Sequence, residues 1–496
     1  MRTSLVLQVL CLLPFFLAAC STPHPSSNNP QTQIPSQLLP AQPLASIPVS
    51  TISIDASASQ GPLEAYRHTI GHGGVNALPL PDPVVTGLSK LKPRLIRIFI
   101  QEFFNIYPDH NRFDWSRLDP YMDSLARTGA HVVAAITIKP KPLYPTIDPN
   151  IWWPNDIQEW QRVIHALVKR YSVDKPIVTY WEIGNETDIG ENGGCPYLIA
   201  DPNQYLEYYQ ITIPAILVAF PSAKVGGTAV ANASSDYLPR FIEACKQQRL
   251  QLDFISWHLY SDSPEQHAGL VQKYRSLLED YPGKRPEMLV TEWSKGFEPI
   301  SVEDQAFNPR RAAITAASLF AMMDAHLDWS FYYHAWDQVC YIDSFRPFFR
   351  DPNIMFHHWN EVPHRFGLFG VGGEPRPQYF VYQMLSRLGD QRLQAQTDEK
   401  EFRILAAKDA NQTSIMVANL AWPKSQDRLA TLRFTNLPPG RKQLKIYRID
   451  RACAWSPTNL ELIPIESREV DTETHFSCQA YCPADSVTRI VLETRR

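Results

Sequence analysis

The chain has 496 residues, enough for one large domain plus a smaller one, and its 44% apolar and 20% charged content fits a globular protein with a sizeable core. Its formal net charge is −4 and no basic stripe runs through it, so the sequence carries no electrostatic footprint for nucleic acid. Aromatic residues are plentiful (12 Trp, 21 Tyr, 23 Phe), and flat rings of this kind serve both a core and a sugar-binding cleft.

The first twenty residues form a separate object. Arg2 precedes an apolar run over 5–17, interrupted by Pro14, that ends in Leu17-Ala18-Ala19-Cys20. The run is too short to span a bilayer and reads as a secretory signal peptide. Its ending in Cys20 resembles a bacterial lipobox. That resemblance implies that Cys20 is lipidated and becomes the mature N-terminus, and Ser21 in place of Asp points to the outer membrane. A cell-envelope protein is expected, facing the periplasm or the exterior and touching the membrane through this lipid only. Residues 21–48, rich in Pro, Ser, Gln and Asn, are predicted to be a disordered tether.

From residue 66 a strand-then-helix pattern repeats. Short β-branched runs at 68–76, 94–100, 131–138, 177–185, 223–229, 252–260, 288–292 and 328–334 make eight candidate strands. Amphipathic stretches separate them. Leu118, Tyr121, Met122 and Leu125 recur at helical spacing, as do Trp160, Val163, Ile164 and Leu167. The predicted fold class is α/β, a (β/α)8 TIM barrel over 66–390. An open doubly wound sheet would open with a Gly-rich dinucleotide loop, and the GHGGVN of residues 71–76 lacks that spacing. After residue 390, strand-like runs such as FRILAAK and TSIMVANLAW follow one another without helices, which predicts a C-terminal β-sandwich over 391–496. The alternating VSTISIDASA of 49–58 is predicted to join it, so that 49–65 belongs to the sandwich. Beyond the leader, six cysteines remain. Cys453, Cys478 and Cys482 lie close enough in sequence to suggest a local bridge. No histidine stands at zinc-ligand spacing beside them, so no metal site is expected.

Catalytic groups of such barrels sit at the C-terminal ends of the strands. Two carboxylates stand there: Glu186 ends the fourth barrel strand (IVTYWEIGNE) and Glu292 the seventh (EMLVTE). These strands face each other across the barrel mouth. That placement can bring two carboxylates to the ~5–5.5 Å used by retaining glycosidases.

WEIGNE at 181–186 and TEWS at 291–294 resemble the two signatures of the large clan of retaining glycosidases on TIM barrels. SWHLY at 256–260, Arg97 in LIRIF and the flanking β-sandwich resemble glycoside hydrolase family 39 in particular. Thr187 stands where the family often has proline, which bears on the loop and the substrate more than on the reaction. The resemblance implies Glu292 as nucleophile and Glu186 as acid/base, with the Glu186 pKa raised and the Glu292 pKa low. It implies that Arg97 keeps Glu292 charged and that Tyr260 bonds the same carboxylate. Asn185 would bind the sugar 2-hydroxyl, and His258 would hold Glu186 or the sugar. Trp336, Trp293, Trp152 and Trp153 are candidate stacking platforms, His72 a candidate subsite residue, and Lys139 and Lys141 candidate readers of an acidic sugar. No metal or cofactor is called for. The partner is an oligosaccharide or polysaccharide, and nothing in the sequence sets an oligomeric state. β-Xylosidase, α-L-iduronidase and exopolysaccharide-cleaving activities all fit the resemblance. The competing reading is a surface lipoprotein that binds glycan without cleaving it, against which the presence of both glutamates argues.

Overall fold

The computed structural model describes residues 47–297, 308–361, 365–452 and 459–494. The leader, Cys20 and the tether up to residue 46 lie outside the described residues, as does Cys453. Cys478 and Cys482 are free thiols. Both face inward four residues apart on one extended strand, too far for a disulfide to reach.

All eight predicted barrel strands are present: β2 (His68–His72), β3 (Leu95–Gln101), β4 (His131–Thr137), β5 (Val178–Ile183), β6 (Lys224–Val230), β7 (Phe254–Tyr260), β8 (Glu287–Ser294) and β9 (Trp329–Tyr333). They are parallel, and β9 pairs back onto β2 to close the barrel. Two predicted strands end early because the chain turns out through left-handed glycines, Gly73 and Gly74 after β2 and Gly184 after β5. The helices Leu118–Ala126 and Ile157–Val168 bury the apolar positions their periodicity marks. Asp156 caps the second by accepting the Glu159 backbone N–H at 2.9 Å.

Strand alternation sorts side chains between two layers. In β3, LIRIFIQ sends its three isoleucines outward to the helices and Leu95, Arg97, Phe99 and Gln101 inward. Leu95, Val133, Tyr180, Phe254, Leu289, Trp329 and Phe331 plug the N-terminal end of the barrel. Residues further along the same strands line its C-terminal mouth.

The remaining strands are β1 (Val49–Pro62), β10 (Gln391–Thr397), β11 (Phe402–Lys408), β12 (Gln412–Asn419), β13 (Arg428–Thr435), β14 (Gly440–Ile449), β15 (Glu466–Thr472), β16 (Phe476–Cys482) and β17 (Ser486–Thr494). They form one continuous ladder, β15-β14-β17-β12-β11-β10-β1-β13-β16, around a single core. β1 lies between β10, antiparallel, and β13, parallel. Residues of β12 are buried on both faces, because Ile415 and Val417 enter that core while Met416 and Ala418 join the barrel's. This explains the unbroken apolar run TSIMVAN. β10, β15 and β16 carry too little apolar alternation to be predicted from sequence. β15 is a charged edge strand with four exposed residues at its start.

Phe331→Ala opens a cavity in the barrel plug and is expected to cost about 3–5 kcal/mol, read as a lower unfolding midpoint in urea. Val218→Ser, at a side chain 74% exposed, is expected to stay within about 0.5 kcal/mol of the wild type.

Candidate active site

The chain leaves β5 through Gly184 and reaches Glu186 with φ 46°, a conformation that turns the side chain back over the barrel mouth. The Glu186 backbone N–H donates to the Ala229 carbonyl at 2.8 Å, which fixes it to the end of β6. Gly193 packs directly against the Glu186 carboxyl, where any Cβ would collide with it.

Glu292 arrives inward by a different device. Leu289 of β8 points into the barrel plug and Val290 into the helix layer. Strict alternation would then send Glu292 outward. Instead the β7–β8 register shifts, with Trp257 opposite Val290 but His258 opposite Glu292. The extra residue, Thr291, turns Glu292 inward and Trp293 outward.

The two glutamates meet around His258. Its Nδ1 lies 2.7 Å from Glu186 Oε1 and 3.8 Å from Glu292 Oε2. One oxygen of each carboxyl and this nitrogen all lie within 4.8 Å of one another, the one such metal-sized group among the described residues. The Tyr260 hydroxyl donates to Glu292 Oε1. Arg97, fully buried, donates to Glu182 Oε2 at 2.9 and 2.7 Å and to Asn185 Oδ1 at 2.6 Å. It reaches Glu292 Oε2 only at 3.4 Å. Its charge is thus shared between two carboxylates, with Glu182 its nearer partner. Asn185 Nδ2 donates to the Gly193 carbonyl at 3.0 Å.

Burial pushes the Glu186 carboxyl up to about 8, the Asp188 carboxylate adds to the rise, and Arg97 opposes it. Burial raises Glu292 as well, and the neighbouring Glu186 carboxylate adds to the rise, against Arg97 and the Tyr260 hydrogen bond. The expectation of a low Glu292 pKa is therefore corrected: desolvation outweighs a guanidinium held at 3.4 Å and turned mainly to Glu182. Carboxyls this close share one proton. Glu186 keeps it, because the cation and the phenol both lie on the Glu292 side. Burial also lowers His258 to about 4, so its ring is neutral.

The pair opens into a cavity of about 580 Å³, a size suited to a small ligand. Glu186, Glu292 and Tyr260 line it. So do Phe99, Tyr333, Met355, Trp359 and Phe366, which were not singled out from the sequence; the last three come from the aromatic-rich segment after the final strand. Five aromatic or histidine candidates lie elsewhere. Trp293 packs outward against His267 and Tyr332. His72 and Trp336 are buried against each other, with ring centroids 6.1 Å apart. Trp152 and Trp153 pack edge-on against each other away from this wall. Lys139 is buried, with Nζ on the Asp148 and Pro196 carbonyls at 2.6 and 3.1 Å, and Lys141 is exposed; neither lines the cavity. A wider hollow of about 690 Å³ at the opposite end of the barrel is lined by charges that pair with one another, such as Arg285 with Asp328 at 3.0 Å.

Fold and site together define a (β/α)8-barrel protein with a buried carboxylate pair at its C-terminal mouth. Residues 95–457 match Glycosyl hydrolases family 39, and the chain belongs to that family. A beta-xylosidase of Geobacillus stearothermophilus is 22% identical over 57% of each chain, and one of Caldicellulosiruptor saccharolyticus is 22% identical over 63% of this chain and 65% of its own. The chain thus spans less than two thirds of the length of these relatives. Among solved structures, a monomeric beta-xylosidase from Caulobacter crescentus CB15 superimposes with a TM-score of 0.72 at 19% identity, covering 90% of this chain and 100% of its own. The GH39 enzyme from Xanthomonas axonopodis pv. citri gives 0.71 at 19% identity, covering 90% and 97%. At these identities the likeness is one of fold.

Proposed function

We propose that this protein is a retaining glycosidase that cleaves a glycan by double displacement, with Glu292 as nucleophile and Glu186 as acid/base. The observation that carries the reading is the approach of the two carboxyl groups to within 4.8 Å, the close spacing that retention uses and inversion does not. Ionised Glu292 attacks the anomeric carbon as the bond to the leaving oxygen breaks, and Glu186 delivers its proton to that oxygen. Water then attacks the glycosyl-enzyme, Glu186 takes its proton, and Glu292 departs. His258 fixes the Glu186 carboxyl, and Tyr260 with Arg97 stabilises the Glu292 carboxylate. Asn185 has one Nδ2 hydrogen beyond its bond to Gly193, and it offers this to the sugar 2-hydroxyl. Tyr333 and Trp359 supply the aromatic wall for the ring. β-D-Xylosides are the first probes, since the curated relatives are named beta-xylosidases. As part of the same proposal, Cys20 carries a lipid that holds the enzyme in the cell envelope.

Hydrolysis of an aryl-glycoside panel is expected to name the sugar. Glu292→Ala is expected to lose roughly 10³-fold or more in kcat and to regain turnover with azide, releasing a glycosyl azide of inverted configuration. Absence of rescue removes Glu292 from the role.

The pH profile follows from the two shifts. Activity needs the proton on Glu186, so kcat/KM is expected to fall as pH rises through about 8. It needs Glu292 ionised, so the acid limb lies above the ordinary glutamate value, because Glu292 is raised. Glu186→Gln is expected to abolish the alkaline limb on substrates with activated leaving groups.

Cys20→Ala is expected to move the protein from the membrane to the soluble fraction and to abolish incorporation of labelled palmitate.

A further inference from the structure

The leaving group of a retaining glycosidase lies beside the acid, because the acid protonates its oxygen. The loops that flank Glu186, after β5 and β6, are wholly described. Among the described residues, the surface these loops give the cavity is mostly apolar. Ile189 stands three residues beyond Glu186 and lines the cavity, and both side chains press on Gly193. Met355 lies over Gly194, its Cε 3.5 Å from where a Cβ would stand. Ala231 completes the surface at the end of β6.

The polar groups of these loops are already engaged with one another. The Gly193 carbonyl accepts from Asn185, and the Gly194 carbonyl from Gln101. Both carboxylate oxygens of Asp188 are taken by the backbone N–H groups of Ala231 and Asn232, each at 3.0 Å. The N–H groups of Ile189 and Gly190 donate back to the Glu186 carbonyl. Among the described residues, Asn192 at the exposed rim and Gln101, which is bonded to Gly194 and keeps an open Oε1, are the side-chain amides lining the cavity here. A second sugar placed here would bury several hydroxyls without partners, which is costly, whereas a hydrocarbon would not.

On the glycosidase reading, we propose that the leaving-group side of this cavity is built for an apolar aglycone, an alkyl or aryl group, and not for a second sugar. The natural substrate class is then a glycoside of a hydrophobic alcohol, and Ile189 is a specificity-determining residue. The test compares methyl, butyl, hexyl and octyl glycosides of the sugar preferred in the aryl panel with the disaccharide carrying that sugar at its non-reducing end. These alkoxides are similar leaving groups, so differences in kcat/KM report binding in the transition state. The expected result is a rise of roughly threefold per methylene over the first few carbons, with the longer members exceeding the disaccharide. Ile189→Asn, at a side chain already 36% exposed, is expected to flatten the series to within about twofold. A flat series in the wild type, or a disaccharide that outperforms every alkyl glycoside, overturns the inference and leaves the glycosidase reading intact. A panel in which no aryl glycoside is cleaved removes that reading and the inference with it.

Discussion

The site depends on one buried cation. Arg97 rises from the floor of the barrel mouth with no exposed surface, and four of the groups that matter are arranged around it. An isolated guanidinium in such a place costs far too much to persist, and so does an isolated carboxylate. Glu182 neutralises it at 2.7 Å. What remains of its field falls on Glu292, and its third contact orients the Asn185 amide. The Phe99 ring lies under the guanidinium carbon at 4.0 Å and closes the cage. Because Arg97 belongs first to Glu182, it does not drive Glu292 to a low pKa. It pairs with Glu292 at 3.4 Å, and its field lowers both carboxyls. Asymmetry between the pair, more than a large shift on either member, is what separates a nucleophile from an acid.

That asymmetry is built from backbone as much as from charge. Glu186 is held by a left-handed φ, a bond to the end of β6 and the missing Cβ of Gly193. Glu292 faces the same space because β8 carries one residue more than its neighbour β7 at that level. His258 stands between them on a strand with regular alternation, beside Phe254, Ser256 and Tyr260. A regular β8 would present Trp293 to the mouth and Glu292 to the helices, with the same sequence and no site.

The β-strand domain contributes stiffness. Its central strands are buried on both faces, and Leu405, Ala407, Met416 and Val487 share the barrel's own core. The helix Pro309–Asp324 packs over β11, β12 and β17, with Arg310 joined to Asp485. This support backs the side of the barrel that carries β8 and β9, where Glu292 and Tyr333 must hold their positions.

The sequence by itself determined the barrel, strand by strand, because each strand is short, β-branched and bounded by helices of clear 3.6-residue period. It marked Glu186 and Glu292 because both stand at the C-terminal ends of those strands inside short motifs. The family resemblance implied the Tyr260–Glu292 contact and left His258 between Glu186 and the sugar, and the structure shows both residues on the carboxylates. Only the tertiary structure decided the rest. Trp293 lies in the core, although it adjoins Glu292, because a register shift is invisible in a one-dimensional pattern. Arg97 turned out to serve Glu182 first, because a partner 85 positions away is chosen by barrel closure. Gly193, Met355 and Trp359 reached the cavity from helical turns of four or five residues, too short to carry a periodicity from which a direction can be read. Local pattern fixes which way a strand residue points, whereas the company it keeps is set by contacts between strands and loops far apart in the chain.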